Sequence, residues 1–402
     1  MFFDPVRTPV GRGGASKAGG DESAKYEEDR SIMRLKEKVL AGASALALTI
    51  TLTGGQAIAK APVDQGGGTN SRPVATTVPI TPSVGNYEGE LKGDTRVFTL
   101  TALEFKQQIA TFPIETAKVL GWKVTGSDDS KASAPGPTLV AYEGEKIQFV
   151  LTNELDQPTS LHPHGTHEPN DADGVAGIDF KPVQPGKSVT YPAYAPGHAG
   201  TFAYHTHTNT AKQEPRGLAG MITILPRQTA AKDNPQVDVA MTLQQFNPSA
   251  DDGMTISNGA PAVPKPDGRG MWPFNTINGK TGDAAGEPIN INEGDLVQIR
   301  LYNASSMTHS MHLHGMDMTL VAINGHPTTP ATVTTQAIAP GEFFTLQFRA
   351  DNPGNWVFHC SFPDHQANAG KSGFQGAPVG MTRIFHYNGF QPVPAEYFGP
   401  PA

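Results

Sequence analysis

Most of the 13 histidines in this sequence lie in four short clusters. In an extended strand, residues two apart point to the same side of the sheet, so each His-x-His pair projects two imidazoles together. Imidazoles paired in this way on several strands are typical of a site that binds more than one metal ion. The clusters are SLHPHG (His162, His164), FAYHTH (His205, His207), HSMHLHG (His309, His312, His314) and FHCSFPDH (His359, Cys360, His365).

The spacing within the clusters sorts these residues into two groups. His309 precedes His312 by three residues and Cys360 directly follows His359, so in an extended chain His309 and Cys360 face away from those neighbours. These two residues define one predicted site. The other predicted site is built only from histidines, namely His162, His164, His205, His207, His312, His314 and His359.

The cysteine group has the residue types of a blue-copper centre, which consists of a thiolate, two imidazoles and a weak axial thioether. His309, Cys360 and His365 supply the first three ligands, and Met381 is the axial candidate. Seven further imidazoles suit copper better than zinc, whose structural sites close at four ligands. The remaining histidines are interpreted as ordinary core or surface residues: His167, His198, His326 and His386.

The elements that position these residues are predicted to be strands in two similar halves. EGEKIQFVLTNE precedes the first histidine cluster, and EGDLVQIRLYNA precedes the third. Each half then has a PG turn, an apolar run and a second cluster, as in PGKSVTYPAYAPGHAGTFAYH and PGEFFTLQFRADNPGNWVFH. Two copies of one β-sandwich unit explain this repeat, with domains at residues 86–230 and 231–402. Only residues 103–120 offer a helical alternative.

Composition limits the remaining possibilities. The formal net charge of −8 argues against nucleic acid as a partner, and a single cysteine excludes a disulfide framework. Within a leader that spans residues 1–59, residues 33–59 have the basic start, short apolar run and Ala-x-Ala end of an export signal. The apolar run is too short to cross a membrane. Residues 60–85 are predicted to be a linker, and we expect an exported protein, in the periplasm or outside the cell, with no membrane partner.

The histidine segments resemble those of the multicopper oxidase family, which includes laccases. Four segments match in order: PGPTLVAYEGEKIQFVLTNELDQPTSLHPHG, GTFAYHTH, HSMHLHG and WVFHC with its following histidine. A chain with room for two domains resembles the two-domain branch, near the small laccases and copper nitrite reductases. The resemblance implies an all-β protein of two tandem cupredoxin-like Greek-key β-sandwich domains, the second of which carries the type 1 copper.

The resemblance also implies a function and an assembly. The expected enzyme oxidises a phenolic-type or metal-ion donor by one electron at a time at the type 1 copper and reduces dioxygen at a type 2/type 3 cluster. The cluster is expected between domain 1 of one subunit and domain 2 of its neighbour in a homotrimer. By family correspondence, His162 and His312 would hold the type 2 copper, and the type 3 pair would be held by His164, His205, His207, His314 and His359.

Two positions depart from the family pattern. The usual His-Cys-His is here His359-Cys360-Ser361, which leaves seven of eight cluster ligands and makes His167 the nearest spare histidine. The usual place of the axial Met is occupied by Gly370, and Met381 follows an apparent insertion at residues 366–380. Because of these departures, the type 3 pair and the axial ligand are expectations with open alternatives.

Two other functions remain open at the level of sequence. One is a copper nitrite-reductase-like enzyme, although Thr206 stands where such enzymes carry a thiolate, and His207 instead adds an imidazole. The other is a non-catalytic copper-binding electron-transfer protein, which the absence of a histidine at Ser361 motivates. Asp173 in DADGVAG is a candidate proton relay for oxygen reduction, with a simple turn residue before Gly174 as the alternative.

Overall fold

The computed structural model describes residues 72–111, 114–246, 274–368, 372 and 374–394. The predicted leader and export signal, together with residues 60–71 of the predicted linker, lie outside these described residues. Among the residues described, no helix is both long enough and apolar enough to cross a membrane.

Twelve strands and one short α-helix, α1 (Thr210–Gln213), lie between residues 72 and 230. The strands are β1 (Pro73–Ala75), β2 (Asn86–Tyr87), β3 (Glu90–Lys92), β4 (Thr95–Thr111), β5 (Ile114–Val124), β6 (Thr138–Tyr142), β7 (Lys146–Asn153), β8 (His162–His164), β9 (Ser188–Thr190), β10 (Gly200–His205), β11 (Ala219–Leu225) and β12 (Gln228–Ala230).

Eleven more strands follow in the described residues of the second half. They are β13 (Val237–Phe246), β14 (Phe274–Ile277), β15 (Ile289–Ile291), β16 (Leu296–Asn303), β17 (His309–Leu313), β18 (Met318–Ile323), β19 (His326–Val333), β20 (Thr335–Ile338), β21 (Phe343–Arg349), β22 (Asn355–Cys360) and β23 (Thr382–Tyr387). Short 3-10 helices occur at Asp129–Lys131, Asn170–Ala172, Gly282–Ala285, Pro363–Gln366 and Phe374–Gly376.

Two sheets pack face to face in the first half. One has the strand order β2-β6-β11-β10-β8, and the other has the order β3-β4-β7-β9 with β5 paired to β4. Apolar side chains from both sheets form a common core that includes Phe98, Leu139, Phe149 and Met221. This packing of two sheets over one apolar core is a β-sandwich.

A second β-sandwich follows, with the strand orders β14-β13-β16-β21-β18-β19 and β15-β23-β22-β17-β20. Its core contains Ile299, Leu346, Phe358 and Phe385. The two sandwiches confirm the predicted all-β class. The described part of the predicted linker adds β1, which pairs with β12, and a bridge between Ile80 and Val239.

An equivalent asparagine in each sandwich forms hydrogen bonds within the loop that precedes the strand carrying the first His-x-His pair. The buried Asn153 donates from Nδ2 to two carbonyl oxygens, and its Oδ1 accepts a hydrogen bond from the Leu155 N–H. Asn303 does the same with two carbonyls and the Ser305 N–H. Because buried backbone groups need hydrogen-bond partners, these asparagines fix the loops that lead into β8 and β17.

The helical alternative for residues 103–120 is wrong. This stretch forms the long antiparallel hairpin of β4 and β5, whose pairing runs from Leu100–Val124 to Thr111–Ile114. Ala, Leu, Glu, Lys and Gln favour helix in isolation, but the far end of the hairpin packs its apolar residues against Phe246 and Phe274 of β13 and β14. Tertiary pairing therefore outweighs local propensity here.

Candidate metal centres

His309, Cys360 and His365 form a buried group that we call the closed set. Cys360 Sγ lies 3.3 Å from His365 Nδ1 and 3.8 Å from His309 Nδ1, and the two Nδ1 atoms are 3.2 Å apart. All three residues are at most 2% exposed. The first residue of β17, the last residue of β22 and the 3-10 helix Pro363–Gln366 bring them together.

The donor atoms of the closed set are oriented by neighbours. Ser305 Oγ is 2.8 Å from His309 Nε2, so the opposite ring nitrogen faces the sulfur. The Ser310 N–H points at Sγ from 3.4 Å. Met381, the axial candidate, is fully buried, and its backbone bonds both Cys360 (3.2 Å) and His365 (2.8 Å).

The closed set fits a copper ion. Ligands about 2.0–2.3 Å from one ion at tetrahedral to trigonal angles stand roughly 3.3–3.7 Å apart, close to the observed separations. Burial lowers the pKa of His309 to about 3, so its imidazole is neutral and free to coordinate at pH 7. Burial also raises the pKa of the Cys360 thiol, and a bound cation would favour the thiolate form.

Four histidines of the first sandwich form the domain-1 quartet: His162, His164, His205 and His207. Strands β8 and β10 are antiparallel neighbours in which His162 lies opposite His205. The His162 ring is 5.1–5.6 Å from the other three ring centres. His164 Nδ1 and His205 Nε2 face each other at 3.3 Å, a separation that suits two ligands of one ion.

Backbone carbonyls orient two rings of the quartet. His162 Nδ1 donates to the Asp173 carbonyl at 2.8 Å, and His205 Nδ1 donates to the Thr206 carbonyl at 2.9 Å. Both residues therefore direct Nε2 toward the other histidines, because a hydrogen bond at one ring nitrogen fixes the ring so that the other nitrogen can bind a metal ion. Burial lowers the pKa of His205 to about 3 and also lowers that of His164, which keeps both imidazoles neutral.

Three histidines of the second sandwich form the domain-2 trio: His312, His314 and His359. Strands β17 and β22 pair His312 with His359, and His314 Nε2 lies 2.9 Å from His359 Nε2. His359 Nδ1 donates to the Cys360 carbonyl at 2.8 Å, and His312 Nδ1 donates to the Thr334 carbonyl at 2.6 Å. His359 is buried, but His312 is half-buried and His314 is exposed.

The quartet and the trio are separate within one chain. Among the described residues, ring contacts join histidines within the quartet and histidines within the trio, and none joins a histidine of one group to a histidine of the other. No eighth histidine joins either group in the part of the chain that the structure describes. The spare His167 instead contacts His198, with 6.2 Å between ring centres. The quartet and the trio are thus two separate groups of imidazoles in one chain.

Asp173, the proposed relay residue, lies beside the quartet. Its Oδ1 atom is 3.0 Å from His162 Nδ1. Burial and the neighbouring Asp173 carboxyl raise the pKa of Asp179, whose Oδ1 accepts a hydrogen bond from the Val175 N–H. Asp173 and Asp179 are thus neighbouring carboxyl groups, and the first of them contacts the His162 ring.

Several residues around the sites carried no signal in the sequence. Helix α1 places Glu214 with its carboxylate 3.5 Å from His205 Nδ1, and burial raises the pKa of Glu214 to about 7. Phe362 lies 5.2 Å from the His365 ring, centre to centre, and is 42% exposed. Phe343 reaches from the second sandwich to the His164 ring at 5.6 Å. Of these contacts, the one between Phe343 and His164 joins segments that are far apart in the chain.

The fold and these sets define a copper protein of two cupredoxin domains. A multicopper oxidase family model matches residues 128–229, and a second multicopper oxidase model matches residues 245–373. Together the matches span more than half of the chain. The protein belongs to the multicopper oxidase family and is laccase-like, and the enzyme class that this family defines is a copper-dependent oxidoreductase.

Individual relatives agree with this assignment. The chain is 28% identical over 272 residues to a laccase of Trametes hirsuta, covering 64% of this chain and 49% of the laccase. It is 25% identical over 247 residues to a probable nitrite reductase–hydroxylamine oxidoreductase fusion protein of Kuenenia stuttgartiensis, covering 59% of this chain and 26% of that protein. The chain therefore spans half or less of the length of these curated relatives.

A solved structure matches a larger share. The multicopper oxidase mgLAC superposes with a TM-score of 0.63 at 28% identity, covering 75% of this chain and 89% of that chain. This similarity confirms the predicted cupredoxin-like architecture of two sandwich domains.

Proposed function

We propose that the protein is an exported oxidase that takes single electrons from a donor at the closed set and reduces dioxygen at a cluster built from the quartet and the trio. One observation carries the proposal. His359 and Cys360 are adjacent residues of β22, yet Cys360 belongs to the closed set and His359 to the trio. One peptide unit thus links the two kinds of site.

The residues present fit the three copper types of the family. The closed set, with Met381 as the axial candidate, would hold the type 1 copper. His162 and His312 would hold the type 2 copper, and the type 3 pair would be held by His164, His205, His207, His314 and His359. When bound, copper supplies one-electron redox chemistry and the reduction of dioxygen.

The chain's own residues account for donor access. The three residues of the closed set are buried. An electron donor would therefore contact the protein surface and not a metal ligand directly. Phe362 is the exposed residue whose ring contacts His365. We place the donor, a phenol or a metal ion, against this surface, where the aromatic ring gives a phenol an apolar contact.

Proton delivery is assigned to Asp173. Its carboxylate lies within hydrogen-bond distance of His162 Nδ1 and next to Asp179, so it is placed to hold a proton beside a ring of the quartet. If so, Asp173→Asn lowers kcat much more than it lowers the affinity for the donor. The type 1 absorption band stays unchanged because the closed set is untouched.

We further propose that the active form is a homotrimer. The quartet and the trio are each open and do not touch within one chain, so a second copy can supply the missing half. His312 also lines a cavity of about 620 Å³ beside the exposed His314, which gives the neighbouring subunit a surface to fill. A cyclic trimer closes such a head-to-tail contact.

Metal analysis and oxygen uptake test the proposed reaction. For the oxidase we expect roughly four copper ions per chain, a visible band at about 600 nm from the Cys360 thiolate bound to copper, and oxygen consumption with a phenolic or metal-ion donor. Full copper loading without oxygen consumption with any donor would favour the electron-transfer protein instead.

The second candidate is a nitrite-reductase-like enzyme, because one relative carries nitrite reductase in its name. Roughly two copper ions per chain and anaerobic turnover of nitrite would favour it. His207, which completes the quartet beside Thr206, argues for the oxidase, since a single-copper catalytic site has no need of four imidazoles in one domain.

A further inference from the structure

Three of the histidines interpreted as ordinary residues come together outside the copper sets. His198 and His326 have ring centres 4.4 Å apart, and His167 lies 6.2 Å from His198. His167 and His198 belong to the first sandwich and His326 to the second. We call this group the junction histidines.

A tight turn in the backbone places His326. Asn324 and Gly325 have left-handed φ values of 50° and 80°, which is typical of a two-residue Asn-Gly hairpin turn. This turn joins β18 to β19 and makes His326 the first residue of β19, paired with Ile323.

The same turn packs against the first sandwich near His198. A Cβ atom on Gly200, two residues after His198, would lie 2.6 Å from the Gly325 carbonyl oxygen. The two backbones therefore touch, and glycine at position 200 permits the contact. Because both ring-bearing segments are held by backbone packing, the spacing of His198 and His326 is a fixed feature of the domain junction.

His198 has a ring nitrogen without a partner. Its Nδ1 is 2.8 Å from the Ala199 carbonyl, which can only accept, so Nδ1 carries the proton and Nε2 presents a lone pair. Nε2 is buried and has no hydrogen-bond partner among the described residues. A buried nitrogen without a hydrogen-bond partner destabilises the fold, and a coordinated cation would remove that cost.

We propose that the junction histidines bind a divalent transition-metal ion, with Zn²⁺ as the probe. Imidazole is a preferred ligand of zinc and copper. The ring separations of 4.4 and 6.2 Å bracket the 4.9–6.1 Å found within the quartet and the trio. His167 is exposed, so its ring has room to turn toward the ion. The ion would clamp the two sandwiches together, with no redox step.

The test is Zn²⁺ binding to the copper-loaded protein, measured by equilibrium dialysis with copper and zinc both determined. Wild-type protein should retain about one zinc ion per chain beyond its copper. His326→Gln, a change at an exposed position, should weaken zinc binding at least about tenfold. His198→Gln should do the same. Zinc should also raise the thermal midpoint of the wild type but not of the variants.

His386→Gln is the matched control. His386 is a spare histidine of the second sandwich whose Nδ1 is 2.6 Å from Asn355 Oδ1, and it has no ring contact with the junction histidines. This variant should bind zinc like the wild type. No zinc retained beyond copper, or equal zinc binding by His326→Gln and His386→Gln, would overturn the proposal. All variants keep every predicted copper ligand, so the result does not depend on the proposed oxidase function.

Discussion

The closed set and the domain-2 trio both take residues from β17 and β22 but differ in how deeply they are buried. Cys360, at the end of β22, is fully buried with two imidazoles facing its sulfur. His359, one residue earlier, joins a group that includes the exposed His314. Both sites come from the same pair of strands, β17 and β22.

This difference follows from the alternation of side chains along β17 and β22, whose successive residues face opposite sides of the sheet. Residues that face the core assemble a finished site, shielded from water, inside a single chain. Residues that face outward place the trio near the surface, where the proposed neighbouring subunit could reach it. The domain-1 quartet, with three half-buried rings around the buried His205, is the corresponding group in the first sandwich.

Cys360→Ser should have the largest effect. The change removes the sulfur donor of the closed set, so we expect loss of the visible band and a fall in turnover of at least about a thousandfold. Absorption spectra and oxygen uptake measure both, with His386→Gln as a control that should keep them. An intact band in Cys360→Ser would contradict the assignment of the closed set.

His314→Gln should separate the two sites. It removes one exposed ligand of the trio and leaves the closed set unchanged, so oxygen reduction should fall about a hundredfold while the visible band remains. The near-ultraviolet absorption expected of a coupled copper pair should disappear with it. Loss of the visible band as well would mean that the trio and the closed set are not independent.

The free energy of unfolding of the metal-free protein should decrease as the pH is lowered. His309 should account for more of that decrease than His314. Unfolded histidine has a pKa of about 6.5, whereas burial lowers that of His309 to about 3 in the folded state. Between these values only the unfolded chain binds the proton, so acid destabilises the fold, by about 2 kcal/mol for His309 at pH 5 relative to pH 7.

Chemical unfolding between pH 7.5 and pH 4.5 checks this expectation. His309→Gln should flatten the dependence of the unfolding free energy on pH more than His314→Gln, because His314 is exposed and its pKa is lowered less completely by burial. Equal slopes in the two variants would show that burial does not distinguish the sites.

The smallest expected effect concerns the two glycines that follow the His-x-His pairs, which should differ in how much an alanine substitution lowers the unfolding free energy. Gly315 and Gly165 both have positive φ, but a Cβ on Gly315 would lie 2.6 Å from the Trp356 ring, and one on Gly165 would lie 3.1 Å from the Phe343 ring. Gly315→Ala should therefore lower the unfolding free energy by about 1 kcal/mol more than Gly165→Ala. A thermal melt of each variant measures the difference.

Much of this arrangement could be predicted from the sequence, because strand periodicity is a local property. The offset between His309 and His312 and the adjacency of His359 and Cys360 are enough to sort the side chains onto two faces. The repeated motif around Asn153 and Asn303 likewise indicated two similar sandwiches.

The rest depends on contacts between distant segments. The hairpin of β4 and β5 could not be separated from a helix because its partners, β13 and β14, lie more than 100 residues away in the chain. Nothing near His312 indicated that the Thr334 carbonyl would orient its ring. The meeting of His198 with His326 depends on how the two sandwiches pack, which periodicity does not encode.

Mixing two nearly inactive variants tests the central claim, that the oxygen-reducing cluster is shared between chains, most directly. His164→Gln changes the quartet and His314→Gln changes the trio, and each variant alone should keep its visible band but retain only about a hundredth of wild-type oxygen uptake. If the halves come from neighbouring subunits, unfolding and reassembling an equal mixture should restore roughly a quarter of wild-type oxygen uptake, the share of contacts with both halves intact. No recovery in mixed trimers would contradict the account.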